Sequence, residues 1–331
     1  MRLLLIGLVG VIVLAALRYQ GTTARTGAPE RLFHINSGES VRSIAHRLEA
    51  DGIIYSRWFF LFSVWEQGVR GKTQAGDYLL NGTLTVPEIV FKLTNGGAES
   101  LSVTITFPEG WDSRKMAERL TASNLPGADF LALVQHSDPK WWDQFPFLRT
   151  LPANASLEGF LFPDTYSFFK TATAEDIIAK MLGNFQSKFV DVAWNTKDLK
   201  AHSLFDTVIM ASIVENEVTT SDDRKLVADL FWRRIANGQR LESDATVKYV
   251  LRKNKIQHSF EETRVDSPYN TYTHEGLPPG PIGNPGVDAL AATLHPTPNR
   301  YVFFLSDPVT GETIFAQTFD EHIRNKAAHG L

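Results

Sequence analysis

The chain contains no cysteine. Disulfides, thiol nucleophiles and cysteine-ligated metal sites are therefore excluded together. That is compatible with an oxidising compartment without requiring one. A strong charge of either sign is also missing. The 33 Lys and Arg residues against 37 Asp and Glu leave a formal net charge of -4, so no basic field points to nucleic acid. Several enzyme signatures are absent as well. No G-x-G-x-x-G follows a strand pattern, and there is no Walker A, H-E-x-x-H or G-x-S-x-G. His274 beside Glu275, and His295 before Pro296, lack metal-ligand spacing. No metal and no cofactor are expected, and carboxylates remain as the natural candidates for chemistry. With 331 residues and 43% hydrophobic composition, the chain can build one large or two modest domains.

Long hydrophobic runs are scarce, and the one present is terminal. Residues 3–17, "LLLIGLVGVIVLAAL", are uncharged and flanked by Arg2 and Arg18. As a helix they cover ~22 Å of a ~30 Å hydrocarbon core. Arg18 can snorkel and Tyr19 can sit at the interface. No small-x-small cleavage site follows, so residues 1–20 read as an uncleaved membrane anchor in preference to a removed signal peptide. Charge does not set the orientation, because Arg25 adds to Arg18 on the far side. The polar stretch up to residue 30 reads as a linker.

After it comes a small unit over residues 31–100. "RLFHI" has strand character, and "SVRSIAHRLEADGII" carries Val41, Ile44, Ala45 and Leu48 at helical spacing. A second helix, a short strand at "QAGDYLL" and a helix with Pro87 in its first turn follow. Residues 101–331 form the larger unit, with a strand–turn–helix at "LSVTITFPEGWDSRKMAERL", a less regular stretch over 124–162 and a long helix from about residue 174. The helix after "TTSDD" is well punctuated: Thr220 or Ser221 as N-cap, acids in the first turn, Arg233 and Arg234 in the last. "RYVFFLSDPVTGETIFAQT" reads as a hairpin. The fold class expected is α+β.

The apolar run "MASIVENEV", residues 210–218, ends in two acids. On a helical wheel Met210, Ile213, Val214 and Glu217 share one face, while Glu215 lies about 200° around from Glu217. An acid on an apolar stripe near a helix C-terminus has its pKa raised by burial and by the dipole. A group still protonated near neutrality is what general acid catalysis needs. A structural ion pair at a helix end is the competing reading.

A resemblance adds to this. "ASIVENE", "ESDATVKY", "SPYNTYTHEGLPPGPIGNPG" and "ATLHP" resemble the motif series of the endolytic murein transglycosylases, the MltG or YceG-like family. So do "GESVRSIAHRLEADGII", "QAGDYLL", "FPEGW" and "LEGFLFPDTY". The resemblance implies a single-pass inner-membrane protein with a LysM-like module, residues 31–100, and an extracytoplasmic catalytic domain, residues 101–331. It implies endolytic cleavage of MurNAc–GlcNAc bonds in peptidoglycan to 1,6-anhydroMurNAc ends, limiting strand elongation, with cell-wall synthases as partners. It places the essential acid at Glu217, the residue the wheel also selects. Asn216 departs from a position often filled by Lys, and is expected to face away from the stripe. Tyr269, Asn270 and Tyr272 line a sugar cleft or hold their own loop. Asp244 is an N-cap or a cleft residue. Glu158 stabilises a turn or contacts substrate, and Glu109 belongs to a turn or domain junction. A hydrolytic muramidase and a non-catalytic peptidoglycan-binding scaffold are the rival functions.

Overall fold

The structure is a computed structural model. It describes residues 31–80, 84–95, 102–136, 138–153, 155–194, 202–252, 261–307 and 309–330. The expected anchor and linker lie outside these residues. Among the described residues no helix is long and apolar enough to cross a membrane. The chain divides into two compact units, one running to Val103 with Phe169–Thr171 and the other comprising Thr104–Phe168 and Ala172–Leu331.

In the first unit β1 (Arg31–Ile35) leads to α1 (Val41–Ala50), α2 (Arg57–Glu66), β2 (Gly76–Leu80) and α3 (Val86–Thr94). β1 and β2 pair antiparallel, with Phe33 opposite Tyr78 and His34 opposite Asp77. Strand alternation buries Phe33 and Ile35, and the helical spacing of α1 buries Ile44, Ala45 and Leu48 against them. The ends are set by local chemistry. Ser40 and Ser56 cap α1 and α2, and Thr85 with Glu88 forms a full capping box on α3.

The second unit is mostly helical. β3 (Ser102–Thr106) pairs with β4 (Thr165–Phe169). Between them lie α4 (Ser113–Ala122), the short α5 (Gly127–Val134) and two 3₁₀ turns, which is why residues 124–162 show no sustained period. α6 (Ala174–Phe185) runs into a π-helical stretch, Gln186–Trp194. Next come α7 (Leu204–Glu215), α8 (Ser221–Ala236), α9 (Asp244–Leu251) and α10 (Val287–Leu294). The β5–β6 hairpin (Phe303–Ser306, Thr313–Ala316) and α11 (Phe319–Ala328) follow. The hairpin turns on Asp307, whose carboxylate accepts the Val309 and Thr310 N–H groups. These bonds and His329 hold its pKa down at about 2. Three two-stranded sheets and eleven α-helices among the described residues make an α+β fold.

α7 is the axis of this unit. Every residue from Thr207 to Val214 is buried. Met210, Ile213 and Val214 pack with Val227 and Phe231 of α8, Ala245 of α9 and Ile282 of the following loop. A helix apolar all round is a central helix. It places its C-terminal end, where the two glutamates sit, inside the unit.

Candidate active site

α7 stops at Glu215, with Asn216 as C-cap. Glu217 lies beyond the helix, in a tighter turn where its N–H donates to Val214 O at 3.2 Å. This corrects the helical-wheel expectation. A helix buried on all sides has no distinct apolar stripe, and Glu217 is not part of the helix. What separates the two acids is the company each keeps.

Glu215 is a lock. Its side chain is 5% exposed and forms an ion pair with the equally buried Arg224 of α8. Its other oxygen accepts the Gly286 N–H at 2.9 Å. Burial raises its pKa; the Gly286 N–H and Arg224 pull it down, and Glu109 and Asp288 push it up. The Glu109 carboxylate lies against Gly286, where a Cβ would meet its oxygen at 1.9 Å, so a side chain at this position would push Glu109 aside. Glu215 thus ties α7 to α8 and to the start of α10.

Glu217 is held differently. The Ser243 hydroxyl donates to its Oε1, and the Ala245 N–H approaches the same oxygen at 3.4 Å. Ser243 is the N-cap residue of α9, yet its side chain makes no capping bond, because the hydroxyl is turned to Glu217. The positive end of α9 therefore faces the carboxyl. Burial raises the Glu217 pKa and the charge of Asp244 adds to the rise; Ser243, the Ala245 N–H and Lys248 oppose it. Part of the residue remains open to solvent. A crowded carboxyl of raised pKa, with one oxygen fixed and no hydrogen bond on the other among the described residues, suits an exchangeable proton.

Behind Glu217 the polar shell continues. Asp244 is the first residue of α9, not its cap, and its Oδ1 accepts the Tyr272 hydroxyl at 2.8 Å. Thr271 Oγ1 accepts the Ser243 N–H at 3.0 Å and bonds the Thr246 hydroxyl at 2.9 Å. The structure therefore places the Asp244–Tyr272 pair next in the chain to the Ser243 and Thr271 that serve Glu217, with the Asp244 charge acting on Glu217 and Tyr269 beside Tyr249 at 5.1 Å between ring centroids.

Two other candidates fall elsewhere. Asn270 has no exposed surface; its amide donates to Thr263 O and Val265 O and accepts the Tyr272 N–H. It closes its own loop, and its side chain has no surface to offer a sugar. Glu158 is also buried, accepting the Ser113 N–H and hydroxyl and the Asn284 amide. Burial carries its pKa up to about 7. Asn284 in turn accepts the N–H groups of Gly159 and Leu161 and donates to Trp111 O. The stretches "PEGW", "LEGF" and "GPIGNPG" meet at this knot. Gly159, at φ +89°, has Pro281 and Val208 where a Cβ would stand. Of the two alternatives expected for each, the side chains of Asn270 and Glu158 are spent on framework bonds in this structure.

Beside Glu217 opens a cleft of about 330 Å³, lined in part by Gly110, Asn216, Ala245, Lys248 and Ile282. Asn216, expected to face away from the apolar stripe, is exposed and borders this cleft.

The sequence profile of the YceG-like family matches residues 33–328. The chain belongs to this family. Among relatives of this YceG-like chain is a protein named endolytic murein transglycosylase from Bacillus subtilis (strain 168). It is 34% identical over 305 residues, covering 89% of this chain and 82% of that protein. A protein of the same name from Streptococcus pneumoniae (strain ATCC BAA-255 / R6) is 30% identical, and the match spans 57% of its length. A crystal structure of a YceG-like protein from Listeria monocytogenes shares 32% identity with a TM-score of 0.59, covering 89% of this chain and 98% of that one.

Sequence reasoning missed Ser243, Arg224 and Lys248. Ser243 stood in the "ESDATVKY" motif, where its neighbour Asp244 drew the attention as a cap. The ion pair and the lysine had no local signal.

Proposed function

We infer that the chain is an endolytic peptidoglycan lytic transglycosylase that cleaves MurNAc–GlcNAc bonds with Glu217 as its acid/base. The observation that carries this is the Glu217 carboxyl, next to the cleft that Asn216 and Ala245 line, with one oxygen held by the Ser243 hydroxyl and the start of α9, and raised in pKa by burial. The names of the relatives support the substrate class. Glu217 protonates the glycosidic oxygen as the bond breaks. The resulting carboxylate takes the proton of the MurNAc C6 hydroxyl, whose oxygen closes on C1 to give the 1,6-anhydro end. One group serves both steps, and no water enters the product.

Hydrolysis is the second reading, and Asp244 is its reason. A hydrolytic glycosidase uses two carboxylates, and Asp244 is close enough for its charge to act on Glu217. Defined glycan strands separate the two. The transglycosylase product is one water lighter than the hydrolytic product and has no reducing end. Reducing ends in the wild-type digest would overturn the lytic reading, and full activity of Glu217→Gln would overturn the assignment of the acid.

The remaining parts of the proposal follow the family resemblance. The first unit is LysM-like, with its β-α-α-β order and antiparallel pair as support. Residues 101–331 are catalytic, and residues 1–20 anchor the protein to the inner membrane with the globular part outside the cytoplasm. Limitation of nascent strand length beside cell-wall synthases is the cellular role proposed. A truncation lacking residues 1–20 that stays with the membrane after a salt wash would count against the anchor.

A further inference from the structure

The cleft beside Glu217 has a chemical character that acid/base catalysis does not use. α4 lines one wall and α9 another, with Asn216 between them. Four cationic side chains line it: Arg114 and Lys115 from α4, Lys248 from α9, and Arg252 just after α9. Two acids, Asp112 and Glu118, share the lining. Arg114 and Asp112 satisfy each other, through guanidinium bonds of 3.0 and 2.8 Å, and Arg114 also donates to Tyr249 O. Asp112 further caps α4 through the Lys115 N–H. That removes one charge of each sign.

Lys115, Lys248 and Arg252 remain against Glu118. Among the described residues, none of the three cations has an ion pair or side-chain hydrogen bond. Lys115, Glu118 and Arg252 are exposed and hydrated. Lys248 is half-buried, without a partner, and its charge reaches Glu217. Its ammonium acts on Glu217 only through space and makes no hydrogen bond or ion pair among the described residues, so its donors are free for an anion that enters the cleft. The excess positive charge is local, since the chain as a whole is negative.

We propose that this cleft is a carboxylate subsite, in which Lys248, with Lys115 and Arg252 at the rim, takes a carboxylate carried on the lactyl arm of the MurNAc residue beside the cut bond. The proposal rests on the reading of Glu217 as the acid/base, and names the part of the substrate that its neighbouring cleft selects. Two sources share the chemistry. In stripped strands the lactyl group ends in a free carboxylate; in substituted strands that group is an amide and the stem peptide supplies carboxylates further out. Binding is a charge-assisted hydrogen bond with no covalent step.

The test compares Lys248→Gln and Lys115→Gln with the parent protein on stripped strands, on peptide-bearing strands, and on both after conversion of their carboxylates to amides. KM should rise on the order of tenfold for the charged strands and stay level for the amidated ones. A rise confined to stripped strands assigns the lactyl carboxylate, and one confined to peptide-bearing strands assigns the stem peptide. Unchanged KM on charged strands, or an equal rise on amidated ones, overturns the subsite. Lys115 is exposed, so its variant reads the charge without threatening the fold. Glu217→Gln keeps the two readings apart. Its binding of charged against amidated strands reports on the cleft whether or not it retains activity.

Discussion

Two buried carboxyls in the second unit have opposite fates. Glu158 and Glu217 are both raised in pKa by burial. Around Glu158 the Ser113 N–H, the Ser113 hydroxyl and the Asn284 amide converge, and the residue is 4% exposed. Around Glu217 one oxygen takes one hydroxyl and one long N–H contact, and the other has no hydrogen bond among the described residues. A raised pKa alone therefore does not mark the catalytic group. Unused acceptor capacity next to a cleft is what the proposed acid/base Glu217 has and Glu158 lacks, because a proton must leave toward the substrate and return. Glu215 makes the same point from a third direction, with its oxygens committed to Arg224 and Gly286.

The comparison breaks most sharply at Glu217. Glu217→Gln should lose at least ~10²–10⁴-fold in anhydro-muropeptide formation while its melting temperature stays close to that of the parent. Glu158 should behave in reverse. Glu158→Ala leaves the Ser113 and Asn284 donors unsatisfied, which costs about 2–5 kcal/mol of stability. Activity per folded molecule should change far less. Denaturant melts alongside turnover of the soluble fraction check both halves. A stable, inactive Glu158→Ala would move that residue into the chemistry.

Glu158 also gives the comparison a pH axis. Its folded pKa, about 7, lies above the ordinary 4.5. Between these values the native state holds a proton that the unfolded chain has released, so stability falls as pH rises. The contribution of this group is complete below pH 4.5 and lost above pH 7. The parent protein should lose stability across this window relative to Glu158→Gln, which cannot titrate there. Parallel melting curves of the two proteins against pH would show that the carboxyl is ionised throughout.

Asn270 and Tyr272 sharpen the boundary between framework and site. Asn270→Ala removes a buried amide with three partners and should cost about 1–3 kcal/mol. Tyr272→Phe removes only the bond to Asp244 and should act mainly on turnover. A double substitution would mix the two effects, so the single variants are the informative ones.

The sequence was most legible where the signal was local. The cap at Thr220, the periodicity of α1 and the hairpin around Asp307 all come from neighbours within a few residues. The site was less legible because its contacts are long-range. Glu158 meets Asn284 across 126 positions, and Glu215 meets Gly286 across 71. The wheel arrived at Glu217 by a route the structure does not follow, since α7 is buried all round and ends before it. The motif resemblance pointed to the residue independently of that route.

The smallest expected effect tests the one contact that most distinguishes Glu217. Ser243 stands at the N-cap of α9 but gives its hydroxyl to Glu217 Oε1 and makes no cap bond. An ordinary N-cap serine replaced by alanine costs about 1 kcal/mol of stability; here that loss should be largely absent. The hydroxyl stabilises the charged carboxylate and so opposes the rise in its pKa. Without it the pKa moves higher still. A general acid must be protonated when substrate arrives, so the fall of kcat/KM on the alkaline side should shift to higher pH in Ser243→Ala. Below that limb the variant should lose on the order of tenfold, the cost of a less well-oriented acid with one charge-assisted bond fewer. Ser243→Thr, which keeps the donor, should restore the position of the limb. A variant that melts earlier by the N-cap amount with an unmoved pH profile would make Ser243 a cap after all, and leave Glu217 oriented by the start of α9 alone.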